Sequence, residues 1–290
     1  MQYDVTHTTH YRYSDPVLLS HHVARLTPRQ LAWQQCTGHT LEIDPVPVVS
    51  RRHRDYHGNE TTFFMMEGAH RELRVTARSR IEVQPPPDPG AAAGDPWETA
   101  RDHERLPLDV IEYVFESPLV RVTEEIAHYA RASFPAGRPF LEAVNELMHR
   151  IHADFRFDPQ ATTVATPLAD VMRLRRGVCQ DFSQLGVGCL RAVGLAARYV
   201  SGYIETLPPP GKPRLVGADA SHAWLSVYCP GEGWIDLDPT NDVRPGDQHV
   251  TLGWGRDYAD VGPLRGVILG GGDHQLSVGV DVLRLDPPVL

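Results

Sequence analysis

From Glu72 to Val83 the residues Leu73, Val75, Ala77, Ser79, Ile81 and Val83 alternate with Glu72, Arg74, Thr76, Arg78, Arg80 and Glu82. Period two predicts a strand with one buried and one wet face. Less regular strand candidates are Tyr3–Tyr13, Thr40–Ile43 and Thr61–Met66, with Asp55-Tyr56-His57-Gly58-Asn59 as turn material between two of them. Residues 1–85 therefore read as an antiparallel, β-sandwich-like N-terminal domain. Residues 86–107 form a breaker-rich linker containing Pro86-Pro87, Pro89-Gly90 and Gly94-Asp95-Pro96. A second domain, 108–265, opens with helices. One is marked by Val122, Ile126, Tyr129 and Ala130 with Thr123 as N-cap, and a longer one by Leu141, Val144, Leu147, Met148, Ile151 and Phe155. A short helix from Pro167, capped by Thr166, follows.

The next apolar stripe is Phe182, Leu185, Cys189 and Val193, at helical steps of three and four. Gly177 sits poorly inside a helix, so this one should begin near Val178 or Cys179. A thiol at a helix N-terminus meets the positive end of the dipole, which favours thiolate. A cysteine alone reads first as a small buried apolar residue. Beyond the helix, Ala197–Ile204 has strand character, Pro208-Pro209-Pro210-Gly211 is a loop, and His222–Tyr228 and Trp234–Asp238 flank Pro230-Gly231-Glu232-Gly233 as a hairpin. This half is α+β, and the 266–290 segment carries one more strand that could return to either sheet.

The hairpin gives Cys179 partners. His222 begins one strand and Asp238 ends the next, which makes them expected cross-strand neighbours. A carboxylate beside an imidazole fixes its tautomer and stabilises the imidazolium, and such a histidine facing a thiol makes a nucleophile. Asp236 shares a face with Asp238 and competes for the role; the strand-end position favours Asp238.

Composition narrows the classes. A net charge of −9 argues against a nucleic-acid partner, and the arginines Arg51, Arg52 and Arg54, close to Asp55 and Glu60, read as a solvated loop. Four cysteines with no CxxC pair suit a reducing compartment and not a tetrahedral zinc site. Of the six histidines from His7 to His53 only His21 and His22 are close, and adjacent strand residues point to opposite faces. No apolar run approaches the roughly 20 residues of a membrane span, and Met1-Gln2-Tyr3-Asp4-Val5 does not resemble a signal peptide, so a cytoplasmic address with no membrane partner is expected.

Three ordered blocks, Gly177-Val178-Cys179-Gln180-Asp181-Phe182, Ser221-His222-Ala223-Trp224 and Gly233-Trp234-Ile235-Asp236-Leu237-Asp238-Pro239-Thr240, resemble those of the bacterial transglutaminase-like superfamily. Tyr13-Ser14-Asp15-Pro16-Val17 and Asp55–Asn59 resemble its β-rich N-terminal region, and Gly255–Val261 a segment that follows its core. The resemblance implies an α+β, papain-like core with a Cys179–His222–Asp238 triad, acting on amide or ester carbonyls of a peptide or protein through a thioacyl intermediate. Hydrolysis of peptide or isopeptide bonds is expected over transfer to an amine; a non-catalytic interaction module is the alternative from another class. One departure is Ser226, where the family pattern has an acidic residue, and it bears on substrate preference. No cofactor or metal is implied. The Cys179 backbone N–H is an expected oxyanion donor. Trp224, Tyr203 and Gln180 are candidate substrate-binding residues, although Trp224 and Tyr203 read equally as core aromatics and Gln180 should point away from the nucleophile.

Overall fold

The computed structural model describes residues 1–205 and 221–285, and the proline loop at 208–211 lies outside them. The N-terminal region begins with β1 (Gln2–Ala24), β2 (Gln34–Asp44), β3 (Val49–Arg54) and β4 (Glu60–Val83). β1 and β4 are antiparallel partners from Gln2↔Glu82 to Ala24↔Thr62, with the register slipping between Arg12 and Val17. The sequence pattern stops the first strand at Tyr13, before Ser14-Asp15-Pro16; in the structure an irregularity absorbs the proline and pairing resumes. The two segments 61–66 and 72–83 are likewise one strand, with Gly68 at φ +97° where β4 bends. On either side of this bend β4 pairs with β3 or with β2. Tyr13, Val17, Ala24, Phe64, Leu73 and Val75, drawn from both sides of the bend, share one buried cluster, so the sheet folds over on itself like a sandwich.

Arg51, Arg52 and Arg54 are corrected from a loop to strand β3, where they pair with Phe63, Thr62 and Glu60. The side chains stay exposed as the charge pattern required, and a charged, short edge strand resists further pairing.

Between the two regions, residues 91–105 wind through short 3-10 turns, and Ala93, Trp97 and Ala100 are buried in the following core. The remaining elements are α1 (Leu108–Ile111), α2 (Glu124–Arg131), α3 (Phe140–Asp154), β5 (Arg156–Phe157), α4 (Leu168–Leu174), β6 (Arg176–Gly177), α5 (Cys179–Ala192), β7 (Ala197–Ile204), β8 (Ser221–Cys229), β9 (Gly233–Leu237), β10 (His249–Gly255), α6 (Tyr258–Val261), β11 (Leu264–Gly270) and β12 (His274–Arg284). Thr123 caps α2 by accepting from the Ile126 N–H at 3.3 Å. Thr166 does not cap α4: its hydroxyl accepts from Thr163 N, and Pro167 precedes the helix without a side-chain cap.

A four-stranded antiparallel sheet, ordered β10-β7-β8-β9, carries α5 on one face. Phe182, Leu185, Cys189 and Leu190 of α5 join Leu225, Val227, Ile235 and Leu237 of the sheet in the largest core, closed by Phe140, Leu147 and Ile151 of α3. Toward the N-terminal sheet, Tyr203, Val250 and Leu252 pack with Tyr3, Val5, Ile81, Val83, Val280 and Val282. β11 and β12 return to the N-terminal sheet, where both pair with β1. No helix among the described residues is long and apolar enough to cross a membrane.

Candidate active site

The segment before α5 is fixed by its own first turn. Asp181 Oδ2 accepts from the Val178 N–H at 2.8 Å and from Thr162 Oγ1 at 2.6 Å, reaching back over the helix start as an N3 carboxylate does in a capping box. Gly177 is required beneath it, since a Cβ there would lie 2.4 Å from Asp181 Oδ2. The chain therefore turns at Gly177 and delivers Cys179, half-buried, as the first residue of α5. Its backbone N–H has no intrahelical acceptor at that position and is available to an incoming oxygen.

His222 stands on β8, 7% exposed, and its Nε2 lies 2.7 Å from Asp238 Oδ2. The Cys179 side chain is the other hydrogen-bonding and charged neighbour acting on the His222 ring, after Asp238. The structure thus brings Cys179, His222 and Asp238 together. The hairpin register refines the route: pairing of β8 with β9 ends at Leu225↔Leu237, so His222 and Asp238 meet on a diagonal and are not directly opposite.

Burial alone would push the His222 pKa down. The hydrogen bonds from Asp238 and Cys179, with the charges of both, overcome it and raise the value to about 10. Asp238, completely buried, would be raised by desolvation, but the hydrogen bonds of His222 and then His249 hold it well below the usual carboxylate range. Both shifts favour the same state, an imidazolium held by a carboxylate.

Asp238 is satisfied on both oxygens. Oδ2 accepts from His222, from His249 Nε2 at 3.1 Å and from Asn241 Nδ2 at 2.7 Å; Oδ1 accepts from the backbone N–H of Thr240 at 2.9 Å and of Asn241 at 3.3 Å. Asp236 is occupied elsewhere, accepting from Trp224 Nε1 at 3.2 Å and from Ser226 Oγ. Ser226, where the family pattern has an acid, is fully buried beneath that bond.

His249 and Asn241 carry no flag in the sequence. Asn241 follows the Asp238-Pro239-Thr240 turn, a legible place for a side chain that folds back. His249 opens β10, and only the pairing of β10 with β7 brings it to Asp238. Tyr199 was also missed: it is buried with Ala223 and Val261 beside Cys179, and burial first, then the Cys179 charge, raise its phenol well above the ordinary value.

Of the substrate-binding candidates, Trp224 is fully buried, its ring 5.2 Å from that of His249 and 6.0 Å from that of His222, so it supports the histidines from beneath. Gly202 leaves it space, because a Cβ there would meet the indole at 2.5 Å. Tyr203 packs in a different cluster from Cys179. It is 1% exposed in the layer between the two sheets, and its hydroxyl bonds His7 Nδ1 at 3.0 Å. Gln180 is buried at 9% exposure.

His222, Asp238 and His249 also form the one three-residue metal-ligand grouping among the described residues. Their ligand atoms are engaged with one another at hydrogen-bonding distances of 2.7 and 3.1 Å. Neither His21 nor His22 belongs to such a group, and His22 instead stacks on Phe64 at 4.8 Å.

Comparison with known proteins gives this geometry its relatives. Residues 3–82 match the bacterial transglutaminase-like N-terminal region and residues 127–239 the transglutaminase-like superfamily. The uncharacterized protein Rv2569c of Mycobacterium tuberculosis is 42% identical over 100% of this chain and 95% of its own length. The chain belongs to the transglutaminase-like superfamily. Within that superfamily, a protein-glutamine gamma-glutamyltransferase of Pseudomonas aeruginosa is 31% identical over 38% of this chain and 19% of its own length. The crystal structure of a candidate cysteine protease from Cytophaga hutchinsonii superposes with a TM-score of 0.79 at 18% identity, covering 100% of this chain and 92% of that one, so the two share one fold along their length.

Proposed function

We propose that the protein is a thiol-dependent amidohydrolase acting on amide or isopeptide bonds of peptide or protein substrates. The observation that carries this reading is the single buried histidine whose Nε2 lies 2.7 Å from Asp238 Oδ2 and whose ring has the Cys179 side chain as its other polar neighbour. In the first half-reaction Cys179 Sγ, as thiolate, adds to the carbonyl carbon, and the oxyanion is received by the Cys179 N–H at the head of α5. Collapse breaks the C–N bond; the amine leaves with the proton from His222, and the acyl group remains as a thioester. In the second, His222 takes a proton from water as it attacks the thioester, which frees the acid and returns the proton to the site.

Transfer to an amine in place of water is the second reading, favoured by the similarity of 128 residues to the Pseudomonas aeruginosa gamma-glutamyltransferase. Incubation of glutamine-containing and isopeptide-linked peptides with a labelled primary amine separates them. Release of acid without label supports hydrolysis, whereas incorporated label supports transfer. A reducing compartment suits either reading, since all four cysteines are unpaired and the nucleophile needs a free thiol.

Iodoacetamide provides the direct test of the nucleophile. Cys189 and Cys229 are buried, and desolvation pushes their thiols up to about 12 and about 11; burial also raises Cys36. Cys179 should be alkylated first, with loss of activity in step, and Cys179→Ala should lower turnover by roughly 10³-fold or more. Labelling of Cys36 at an equal or greater rate would overturn the assignment.

A further inference from the structure

Between the N-terminal sheet and the face of the β7–β10 sheet opposite α5 lies a cavity of about 920 Å3, and neither Cys179, His222 nor Asp238 lines it. Arg198 of β7 does. Its guanidinium is clasped between two indoles, 4.1 Å from the Trp234 ring and 3.7 Å from that of Trp254, and Arg29 lies 3.5 Å over the Trp254 ring.

Arg198 is 7% exposed, and its Nε is buried with no hydrogen-bond partner among the described residues. The acid whose charge acts on it most, Asp236, is committed to Trp224 and Ser226. The other deeply buried arginine is a sharp contrast. Arg191, 5% exposed, donates to the carbonyls of Tyr113, Ala197 and Arg256 and to Ser117 Oγ. Leaving a buried guanidinium N–H without an acceptor is costly, so one on a side chain that lines a cavity points to an anion from outside the chain.

We propose that this cavity binds a small monocarboxylate with an apolar or aromatic body, its carboxylate seated on the open edge of the Arg198 guanidinium. A planar carboxylate meets a guanidinium in the plane of its fork with two parallel hydrogen bonds, an approach that stacking on the indoles does not use. Trp33, Tyr113, Trp234 and Trp254 supply apolar wall for the body of the ligand. Asp88, Asp109, Glu112, Glu232 and Asp236 also line the cavity, against Arg29, Arg198 and Arg244, a balance that disfavours a doubly charged phosphate more than a single carboxylate. The volume lies within the ~300–1,000 Å3 typical of small-molecule sites. This site is independent of the thiol chemistry proposed above.

Phenylacetate and 4-phenylbutyrate, their neutral amides and inorganic phosphate are titrated against the full chain and against Cys179→Ala, following tryptophan fluorescence and the shift in Tm. The carboxylates should bind alike in both proteins, the amides at least about tenfold more weakly, and Arg198→Met should lose about tenfold or more in carboxylate affinity. Should that variant not fold, Arg198→Lys keeps the charge and stem but not the fork and should show the same loss. Absence of carboxylate binding, equal binding of the amides, tighter binding of phosphate, or undiminished binding by the folded arginine variant would each overturn the proposal. Loss of binding in Cys179→Ala alone would also overturn it, by assigning the ligand to the thiol.

Discussion

Asp238 is the residue at which stability and chemistry coincide. Asp238→Asn keeps the shape but removes the charge that holds His222 protonated, and it should lower turnover by about 10³–10⁴-fold, the scale seen when a triad carboxylate becomes an amide. The stability consequence has a definite sign. The His222 value is raised to about 10 from 6.5, so its contribution is complete below about pH 6.5 and is lost as pH rises toward 10. Thermal unfolding against pH should therefore show the Asn variant most destabilised, relative to the parent, between about pH 4 and 6.5, with the difference shrinking toward pH 10.

His249→Phe tests the other side of the same carboxylate. Asp238 is depressed, so its contribution is present above the unfolded value of 3.8 and lost as pH falls through the folded value. Removing one donor raises the folded value, and the acid-unfolding midpoint followed by circular dichroism should move to higher pH, with a loss of about 1.5–3 kcal/mol at neutral pH. The residues that were readable in sequence, Cys179, His222 and Asp238, each sit at the end of a regular element, where spacing announces them. His249 was not readable, because its role exists only once β10 lies beside β7.

At the scale of elements, the two halves of the molecule differ in legibility for a physical reason. Helical stripes depend on neighbours three and four residues away, and α2, α3 and α5 lie within a residue or two of where the pattern puts them. The long strands β1 and β4 bend and slip register, so local breakers such as Pro16 and Gly68 look like ends when pairing with a partner carries the strand through. β10 and β11 were not anticipated at all; β10 is covered along almost its whole length while β11 leaves Val267 and Leu269 exposed, so neither shows a simple alternation.

Gly202 is the element-level detail with the clearest consequence. A methyl group there would stand 2.1 Å from the Val250 carbonyl oxygen as well as against Trp224, so β7 and β10 would have to part. Gly202→Ala should cost about 1–3 kcal/mol by chemical denaturation. It should also reduce kcat, because the displaced indole is what His222 and His249 rest against. Unchanged kcat in a destabilised variant would show that the indole does not position the histidines.

The whole molecule is held together by the apolar layer between its two sheets. Val280 of β12 is completely buried there with Tyr3, Ile81 and Tyr203. Val280→Asp places a charge with no partner in that layer and should destabilise the protein by several kcal/mol. Loss of the N-terminal sheet and of activity in the same denaturant transition would show that the two regions unfold as one unit; two separate transitions would show that they do not.

The return of β12 to β1 also sets a clock. Tyr3 pairs with Arg284 and Tyr13 with His274, so β1 takes this neighbour from the far side of the α2–β10 region. At roughly 5–20 residues per second, synthesis leaves that side of β1 open on the order of 15–60 s, long after a hairpin could have formed. Through that interval β1 presents an unpaired strand edge to everything around it. The layer that docks the N-terminal sheet on the catalytic sheet lacks Val280 and Val282 for as long. The nascent chain thus carries Cys179 and His222 before the strand that closes the β1 edge has been made.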